Sequence, residues 1–202
     1  MDYNRLCMGC IQQKGEEQTC PNCGYNESVQ DDNKRSLAPR TILNDQYLVG
    51  KVLGQGGFGI TYIAYDLNLE IKVAIKEYMP DGLATRTAGV NTVTVYTNDK
   101  KVNFEYGMEK FLDEAKMMAK FNNVKSIVSV RNFFKENGTA YFVMDFVEGT
   151  NLDQYTKEKG GRLKLDEALM IIGNVIDALE VVHKNGMLHR DVSPDNIYLT
   201  KE

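Results

Sequence analysis

Two polar side chains near the C-terminal end of the chain, Asp191 and Asn196, have types and a spacing suited to acid–base chemistry beside a metal ion. A carboxylate can accept a proton from a hydroxyl group, and an amide oxygen is a suitable ligand for a hard cation such as Mg²⁺. The two groups must lie on one short, rigid loop to act together, and a separation of five residues allows this. The stretch from Leu188 to Thr200 therefore predicts a catalytic loop.

A second set of reactive side chains lies at the other end, where all four cysteines fall within the first 23 residues. They form two C-x-x-C pairs, Cys7 with Cys10 and Cys20 with Cys23. Each pair can direct two thiolates at one ion, and two such turns facing each other complete a tetrahedral site with four sulfur ligands. Gly24 follows the second pair and allows the positive φ that closes such a turn. The pattern resembles a zinc ribbon or a rubredoxin-type knuckle.

Zinc is the predicted metal of this site, although iron fits the same four-sulfur geometry, and redox thiols or disulfides are further alternatives. Four protein ligands leave no open coordination position, so a zinc ion here is expected to be structural. The segment over residues 1–30 is too short to bury a core, and metal would therefore stabilise most of its fold. The polar residues 31–40 that follow predict a linker.

A glycine-rich stretch between residues 46 and 66 predicts a phosphate-binding turn between two strands. Its glycines are Gly54, Gly56, Gly57 and Gly59. Glycine lets the backbone approach phosphate oxygens and present N–H groups to them. The residues that follow, ITYIAY, are β-branched and aromatic and predict a strand, whereas a dinucleotide-binding fingerprint requires a helix at this point.

The elements around these stretches are predicted from periodicity and turn signals. Val73-Ala74-Ile75-Lys76 predicts a strand with Ala74 and Lys76 on one face. Apolar residues at helical spacing predict long helices over 106–122 and 166–184, the second with Asp166 as N-cap. Residues 152–158 predict a short helix, broken by Gly160-Gly161. Asn137-Gly138 is a strong hairpin signal between two strand-like runs. Residues 79–104 predict an inserted β-hairpin or an extra strand. His183 is expected to be a core histidine.

The glycine-rich turn, the Val-Ala-Ile-Lys strand, the Phe-Leu-Asp-Glu-Ala helix and the sequence His-Arg-Asp-Val-Ser-Pro-Asp-Asn occur in an order that resembles protein kinases, in particular bacterial kinases of the Ser/Thr type. The resemblance covers residues 41 to 202. It implies an α+β, protein kinase-like fold with a complete β-rich N-lobe and a partial helical C-lobe, preceded by a small zinc ribbon. The implied boundaries are 1–30 for the ribbon, 31–40 for the linker, 41–148 for the N-lobe and hinge, and 149–202 for the partial C-lobe.

The same resemblance implies ATP and Mg²⁺ as cofactors and a protein as substrate. It assigns Lys76 to the α- and β-phosphates, Glu114 to orienting that lysine, Asp191 to the role of base and Asn196 to Mg²⁺. Asp113 and Glu109 remain alternatives to Glu114, which could also be a plain exposed helix carboxylate, and Lys76 could be a solvated surface lysine. The residues implied to contact the nucleotide are Gly54, Gln55, Gly56, Gly57, Phe58, Gly59, Thr61, Ala74, Lys76, Met144, Asp145 and Val147.

Two departures from the kinase pattern bear on activity. Ser193 stands where kinases acting on Ser or Thr usually carry a lysine, whose charge compensates the phosphoryl group in transit. The sequence also ends at Glu202, before the Asp-Phe-Gly whose Asp holds the principal Mg²⁺. The chain of 202 residues is therefore expected to have negligible kinase activity alone. The alternative function is a nucleotide-binding pseudokinase or scaffold with the zinc ribbon as an interaction module, which would have its own protein partner.

Composition excludes several other function classes. A net charge of −4 and a sequence pI near 5.4 argue against broad electrostatic binding to nucleic acid. The chain has no apolar run of about 18 residues that would predict a transmembrane helix. Its N-terminus also lacks the basic start and apolar core of a secretory signal. A cytoplasmic location is expected, and a membrane anchor beyond residue 202 is left open.

Overall fold

A computed structural model describes residues 3–29 and 35–200 of the chain. The parts of the predicted ribbon, linker and C-lobe at residues 1–2, 30–34 and 201–202 lie outside these described residues. The helices are α1 (Asn98–Met118), α2 (Leu152–Glu158) and α3 (Leu165–Lys184). The strands are β1 (Ile42–Leu43), β2 (Tyr47–Gly56), β3 (Gly59–Asp66), β4 (Ile71–Tyr78), β5 (Ala84–Arg86), β6 (Val93–Val95), β7 (Val130–Glu136), β8 (Thr139–Asp145), β9 (Gly149–Asn151) and β10 (Tyr198–Thr200).

The chain divides into two compact units. The first comprises Met1–Ala119 and Val130–Phe146, and the second comprises Lys120–Ser129 and Val147–Glu202. The cysteine segment, the glycine-rich turn and Lys76 belong to the first unit. The loop that carries Asp191 and Asn196 belongs to the second.

A six-stranded antiparallel sheet organises the first unit, in the order β1-β2-β3-β4-β8-β7. Helix α1 packs against it, and the core between them contains Tyr62, Ile75, Phe111 and Phe142, all buried. The β7–β8 hairpin predicted from Asn137-Gly138 is confirmed. These two residues have φ values of 53° and 72°, the positive values that a two-residue hairpin turn of this type requires.

Strand β3 is buried on both faces because a different part of the chain covers each one. Tyr62 and Ala64 point into the core shared with α1. Ile63 and Tyr65 alternate with them and pack in a second cluster with residues of the cysteine segment. The members of this second cluster are Leu6, Met8, Ile11, Leu48, Ile63 and Tyr65. The cysteine segment is therefore packed on the sheet, and its apolar residues supply burial that the segment could not provide for itself.

The cysteine segment is also bound to the sheet by polar contacts. The carbonyl oxygen of Met8 accepts a hydrogen bond of 2.7 Å from the backbone N–H of Lys51. This N–H lies where the β2–β3 register shifts between Val49 and Val52, and a bulge of this kind frees a backbone group from the ladder. Gly50 makes the close approach possible, because a Cβ at that position would lie 2.4 Å from the same carbonyl oxygen.

Arg40 forms a further bridge between the cysteine segment and the chain leading into the sheet. Its guanidinium pairs with the carboxylate of Glu27, with Nε 2.8 Å from Oε2, and donates to the carbonyl oxygens of Tyr3 and Leu6 at 3.2 and 2.9 Å. Burial opposes ionisation of Glu27, but hydrogen bonds from Arg40 and Lys14 prevail and hold the pKa of that carboxyl below its usual value. The bridge therefore stabilises the folded state above the ordinary carboxyl pKa and weakens as the pH falls through the lowered one.

Replacement of Arg40 by Ala is expected to loosen the cysteine segment from the sheet without unfolding the sheet. The change removes one partly exposed ion pair and two charged hydrogen bonds, together about 1–3 kcal/mol. Amide hydrogen exchange should then rise at Lys51, whose N–H is protected by its hydrogen bond to the Met8 carbonyl oxygen, while β4 and β8 keep their protection. Arg162→Ala, at an exposed position in the second unit, is the control. Unchanged exchange at Lys51 in the Arg40 variant would contradict the expectation.

The insertion after β4 is a β-hairpin, as predicted. Strands β5 and β6 pair antiparallel, with Thr85 opposite Thr94. The following helix was predicted to begin at residue 106, which is wrong: α1 begins at Asn98, after Thr97 in extended conformation as N-cap. The first turns of α1 are mostly polar and carry no apolar stripe, so periodicity could not reveal them. Phe104, on one of these turns, is nevertheless buried against Tyr78, with ring centroids 5.2 Å apart.

The second unit contains α2, α3 and the short β9–β10 pair, in which Leu199 lies opposite Thr150. Gly149 is required there, because a Cβ would lie 2.1 Å from the carbonyl oxygen of Leu199. The short and long helices of this unit are confirmed, but the predicted N-cap is wrong: α3 begins at Leu165 with Lys164 as N-cap, so Asp166 lies in the first turn. Among the described residues, no helix is both long and apolar enough to cross a bilayer.

Candidate functional site

Lys76 lies on β4 at the centre of the sheet, beside the strand that carries the end of the glycine-rich turn. In the β3–β4 register it is opposite Thr61, and in the β4–β8 register it is opposite Phe142. Its Nζ lies 5.5 Å from the ring centroid of Phe142 and 5.9 Å from that of Phe111. These aromatic faces attract the ammonium group and restrict where it can lie. The ammonium group of Lys76 thus faces two aromatic rings, and its side chain is about one-third exposed.

Glu114 on α1 is the carboxylate that lies near this lysine. Its Oε1 is 3.9 Å from Lys76 Nζ, at the outer limit of an ion pair. The two alternatives on the same helix have other partners: Glu109 pairs with Lys135, and Asp113 with Lys110 and Lys116. Lys76 lies on β4 and Glu114 on α1 of the same unit, so the distance between them depends on the position of α1 relative to the sheet.

The glycine-rich turn joins β2 to β3. Gly56 is opposite Gly59 in the ladder, and Gly59 is required for packing because a Cβ there would lie 2.2 Å from the carbonyl oxygen of Glu77. At Gly54 and Gly56, by contrast, a Cβ would meet no atom within 4 Å. Internal packing therefore does not explain these two glycines. Phe58, at the bend, has 79% of its surface exposed.

Residues assigned to the base of a nucleotide lie in the first half of β4 and at the end of β8, which pair with each other. Ala74 is opposite Met144, and Val73 is opposite Asp145. Ala74 is buried, whereas Met144 and Asp145 are partly exposed. The Asp145 carboxylate pairs with Arg131 on β7, which leaves the backbone as the part of Asp145 for a ligand to use. Val147 belongs to the second unit.

In the second unit the structure brings Asp191 and Asn196 together. The side-chain amide of Asn196 donates to the Asp191 carboxylate Oδ2 at 2.9 Å and to its carbonyl oxygen at 3.0 Å. The backbone N–H of Asp191 donates to His189 Nδ1 at 3.3 Å. Both bonds of Asn196 use its nitrogen, so its amide oxygen takes no part in them. The loop thus holds a carboxylate and an amide oxygen side by side, as their spacing predicted.

The four cysteines converge in the first unit, where all their sulfur atoms lie within 4.8 Å of one another. Cys7 Sγ is 3.7 Å from Cys23 Sγ, and Cys10 Sγ is 3.9 Å from Cys20 Sγ. Zinc–sulfur bonds of about 2.3 Å in a tetrahedron place neighbouring sulfurs about 3.8 Å apart, whereas a disulfide needs about 2.05 Å. The cysteines are therefore free thiols in an arrangement that fits one tetrahedral ion.

The surroundings of the sulfurs also suit thiolate ligands. The backbone N–H of Gly9 points at Cys7 Sγ from 3.2 Å. Burial raises the pKa of Cys7, and it raises that of Cys10 to about 12. Burial acts in the same direction on Cys20, but backbone N–H groups of Asn22 and Cys23 outweigh it and lower the pKa of that thiol to about 7. The Cys20 thiol is thus poised to ionise, whereas Cys7 and Cys10 need a cation to release their protons.

The two cysteine turns close differently. Gly24 has the predicted positive φ, 72°. In the first turn the equivalent residue after the second cysteine is Ile11, which has a φ of 58°. A β-branched residue is strained in this region, but Ile11 is buried in the cluster that docks on the sheet, and this burial offsets the strain. Gly9 is required for packing, because a Cβ at this position would lie 2.3 Å from Tyr25 Cβ.

A buried charged cluster next to Lys76 was not predicted from the sequence. Glu77 has 0% and Arg86 5% of its surface exposed. The guanidinium of Arg86 donates hydrogen bonds to both carboxylate oxygens of Glu77. The hydroxyls of Tyr62 and Tyr141 donate to the same oxygens at 2.7 and 2.9 Å. Burial, reinforced by the charge of Glu77, raises the pKa of both tyrosines. The sequence signal was Glu77 itself, a charged residue within an apolar strand.

Comparison with known proteins identifies the family of this chain. Residues 47–202 match the Pkinase family, described as the protein kinase domain. The serine/threonine-protein kinase PksC of Streptomyces coelicolor is 32% identical over 180 residues, covering 85% of this chain and 29% of PksC. The serine/threonine-protein kinase PknG of Mycolicibacterium smegmatis is 27% identical over 216 residues, covering 100% of this chain and 25% of PknG. The chain thus spans less than a third of the length of these relatives.

Solved structures give a similar result. The structure described as PpkA-294 apo form has 33% sequence identity and a TM-score of 0.76, covering 83% of this chain and 58% of that one. The Mycobacterium tuberculosis PknI kinase domain has 24% identity and a TM-score of 0.63, covering 83% of this chain and 59% of that one. The second likeness concerns the fold alone.

Proposed function

Because this chain belongs to the protein kinase family and its relatives are bacterial serine/threonine kinases, we propose that it binds Mg-ATP and serves phosphoryl transfer to a protein hydroxyl. The observation that supports this most directly is the approach of Glu114 to Lys76, 3.9 Å, on a strand paired with the one that follows the glycine-rich turn. Gly54 and Gly56 of that turn are not explained by packing. An ammonium group beside backbone N–H groups is suited to bind a polyphosphate.

In this proposal the residues that bind the nucleotide lie in the first unit, apart from Val147, which follows it directly in the chain. Lys76 contacts the α- and β-phosphates, and Glu114 keeps its ammonium in place by charge. The backbone of the turn from Gly54 to Gly59, with the side chains of Gln55, Phe58 and Thr61, covers the phosphates. Ala74 and Met144 flank the adenine, and the backbone of Asp145 and Val147 recognises its edge. These positions follow the kinase pattern residue by residue.

The second unit provides the acid–base group. Asp191 orients the substrate hydroxyl and accepts its proton, and the amide oxygen of Asn196 is a ligand for Mg²⁺. The ion would neutralise charge on the phosphates. The bonds from Asn196 to Asp191 hold the carboxylate in a fixed orientation, which favours a base that must meet a hydroxyl at hydrogen-bond distance.

The four cysteines, in the same proposal, hold one structural zinc ion. Sulfur separations of 3.7 and 3.9 Å fit a tetrahedral zinc, and all four ligands are protein sulfurs, which leaves no position for a substrate. The ribbon then contributes a folded surface that can contact a protein partner.

Replacement of Lys76 by Met tests the nucleotide site. The variant is expected to bind Mg-ATP at least about tenfold more weakly by isothermal titration calorimetry, since a charge-assisted contact to phosphate is lost. Lys101→Met, which removes an exposed lysine of α1, is the matched control and should bind as the wild type does. Equal affinity of the Lys76 variant and the wild type would refute the proposed site.

A second function, a nucleotide-binding pseudokinase or scaffold, is favoured by one observation. Ser193 supplies no positive charge where the kinase pattern has a lysine. Both functions predict binding of ATP, but they differ in transfer. Lys76-dependent autophosphorylation supports the enzyme, whereas binding of ATP without transfer in the full-length protein supports the scaffold.

A further inference from the structure

Arg35 lies in the segment that leads from the cysteine ribbon to the sheet, and its side chain is bound to the turn after β4. Its Nη1 pairs with the carboxylate of Asp81. Its Nη2 lies 3.1 Å from the carbonyl oxygen of Met79, 3.3 Å from that of Pro80 and 3.5 Å from that of Ala84. The planar guanidinium has several donors in one fork, so this one side chain fixes most of the turn.

The main chain around Arg35 is fixed as well. Its carbonyl oxygen accepts a hydrogen bond from Arg86, the residue that grips the buried Glu77. The neighbouring Leu37 is buried in the main core, and its N–H donates to the hydroxyl of Tyr62 at 3.0 Å. Residues 35–37 are therefore part of the folded unit, which makes Arg35 a rigid support for the turn.

The Met79–Asp81 turn, which Arg35 binds, is hydrogen-bonded to the bend of the glycine-rich turn at Gly57 and Phe58. The backbone N–H of Asp81 donates to the carbonyl oxygen of Gly57 at 2.8 Å, and that of Met79 donates to the carbonyl oxygen of Phe58 at 3.2 Å. Because these hydrogen bonds fix the carbonyl groups of the bend, the position of residues 79–81 sets the orientation of the peptide groups in the bend. The N–H groups of such a bend are what an incoming phosphate meets.

Charge gives Arg35 a second effect on the same bend. A Cβ at Gly57 would lie 4.0 Å from Oδ2 of Asp81, so this carboxylate is close to the place where the proposed function puts phosphate. An unpaired negative charge there would repel the nucleotide. The ion pair with Arg35 compensates it.

We propose that Arg35, which lies outside the residues matched to the kinase family, is a positioning residue for the nucleotide phosphates. It holds the Met79–Asp81 turn that carries the glycine-rich bend and neutralises Asp81 beside it. The inference rests on the proposed binding of ATP. It adds that the segment between the ribbon and the kinase domain increases the affinity for the triphosphate and leaves binding of the adenosine part unaffected.

The test compares ATP with adenosine, because a loss confined to ATP identifies an effect on the phosphates. Arg35→Ala in this chain is expected to bind Mg-ATP about five- to tenfold more weakly by calorimetry, with adenosine affinity, measured by competition, unchanged. Arg35→Lys, which keeps the charge and loses the fork, should be intermediate. Adding Asp81→Asn to Arg35→Ala should restore part of the ATP affinity. Arg162→Ala changes an exposed residue outside the proposed nucleotide site and should bind both ATP and adenosine as the wild type does.

Three results would overturn the inference, and one of them separates it from the proposed function. Unchanged ATP affinity in Arg35→Ala would refute the positioning role. An equal loss of ATP and adenosine, in both the Ala and the Lys variant, would show a general effect on the fold instead. If the wild type binds neither ligand, the proposed nucleotide site itself fails, whatever the Arg35 variants do.

Discussion

Replacement of Arg86 by Met is expected to lower the free energy of unfolding by about 3–5 kcal/mol, because it leaves the Glu77 carboxylate buried without its cation. Glu77 is fully buried, and Arg86 also donates to the backbone carbonyls of Arg35 and Asn91. The change therefore removes support from β4, from the inserted hairpin and from the segment before the sheet. Burial works against the charged guanidinium, but the hydrogen bond and charge of Glu77 prevail and raise the pKa of Arg86.

Urea unfolding followed by far-UV circular dichroism measures this effect, since the chain has no tryptophan for fluorescence. Arg131→Met is the matched control: it breaks the exposed ion pair with Asp145 and should cost at most about 1 kcal/mol. Combining Arg86→Met with Glu77→Gln should cost less than the sum of the two single changes, because the second change removes the stranded charge. A loss as small as that of the Arg131 control would show that the buried pair adds no stability.

Replacement of Cys20 by Ser is expected to abolish metal binding and to unfold the ribbon. The wild type should contain about one zinc per chain by elemental analysis, and the variant close to none. Binding of structural zinc contributes about 10–16 kcal/mol in apparent free energy, more than the ribbon could replace through its contacts with the sheet. Leu6, Met8 and Ile11 should then leave their cluster with Ile63 and Tyr65, and proteases should cleave the first 29 residues.

Gln18→Ser, which places the same new residue type at a nearby exposed position, should retain both the metal and the protease resistance. Acidification provides a second test of the wild type. Because the ligands must be thiolates, and burial raises the pKa of Cys10 to about 12 without metal, a fall in pH favours protonated thiols and release of the ion. A metal-free wild-type protein with an equally resistant ribbon would contradict the zinc assignment.

The elements that could be predicted are those whose signals are local. The β7–β8 hairpin follows from Asn137-Gly138, α3 follows from its apolar stripe, and the protein kinase-like fold follows from motifs in a fixed order. The Asp191–Asn196 pair was also predictable, because five residues of one loop position both groups. The convergence of four cysteines required only that two similar turns face each other.

The features that escaped prediction depend on contacts between distant parts of the chain. The start of α1 was missed because its first turns bury Phe104 against Tyr78, 26 residues away, and carry charges elsewhere. The polar stretch predicted as a linker includes Arg35 and Leu37, whose partners lie on β3 and beyond β4. Glu77 could be recognised as unusual in its strand, but its partner Arg86 lies in an inserted hairpin whose position periodicity cannot specify.

The contact of Gly50 with the ribbon has a consequence for reading related sequences. Any side chain at this position would meet the carbonyl oxygen of Met8, since even a Cβ would approach it to 2.4 Å. A relative that has the cysteine pairs but lacks glycine at the equivalent of position 50 cannot seat its ribbon in the same way. The residue at position 50 can thus distinguish proteins whose ribbon packs on the sheet from proteins whose ribbon is connected to it only through the chain.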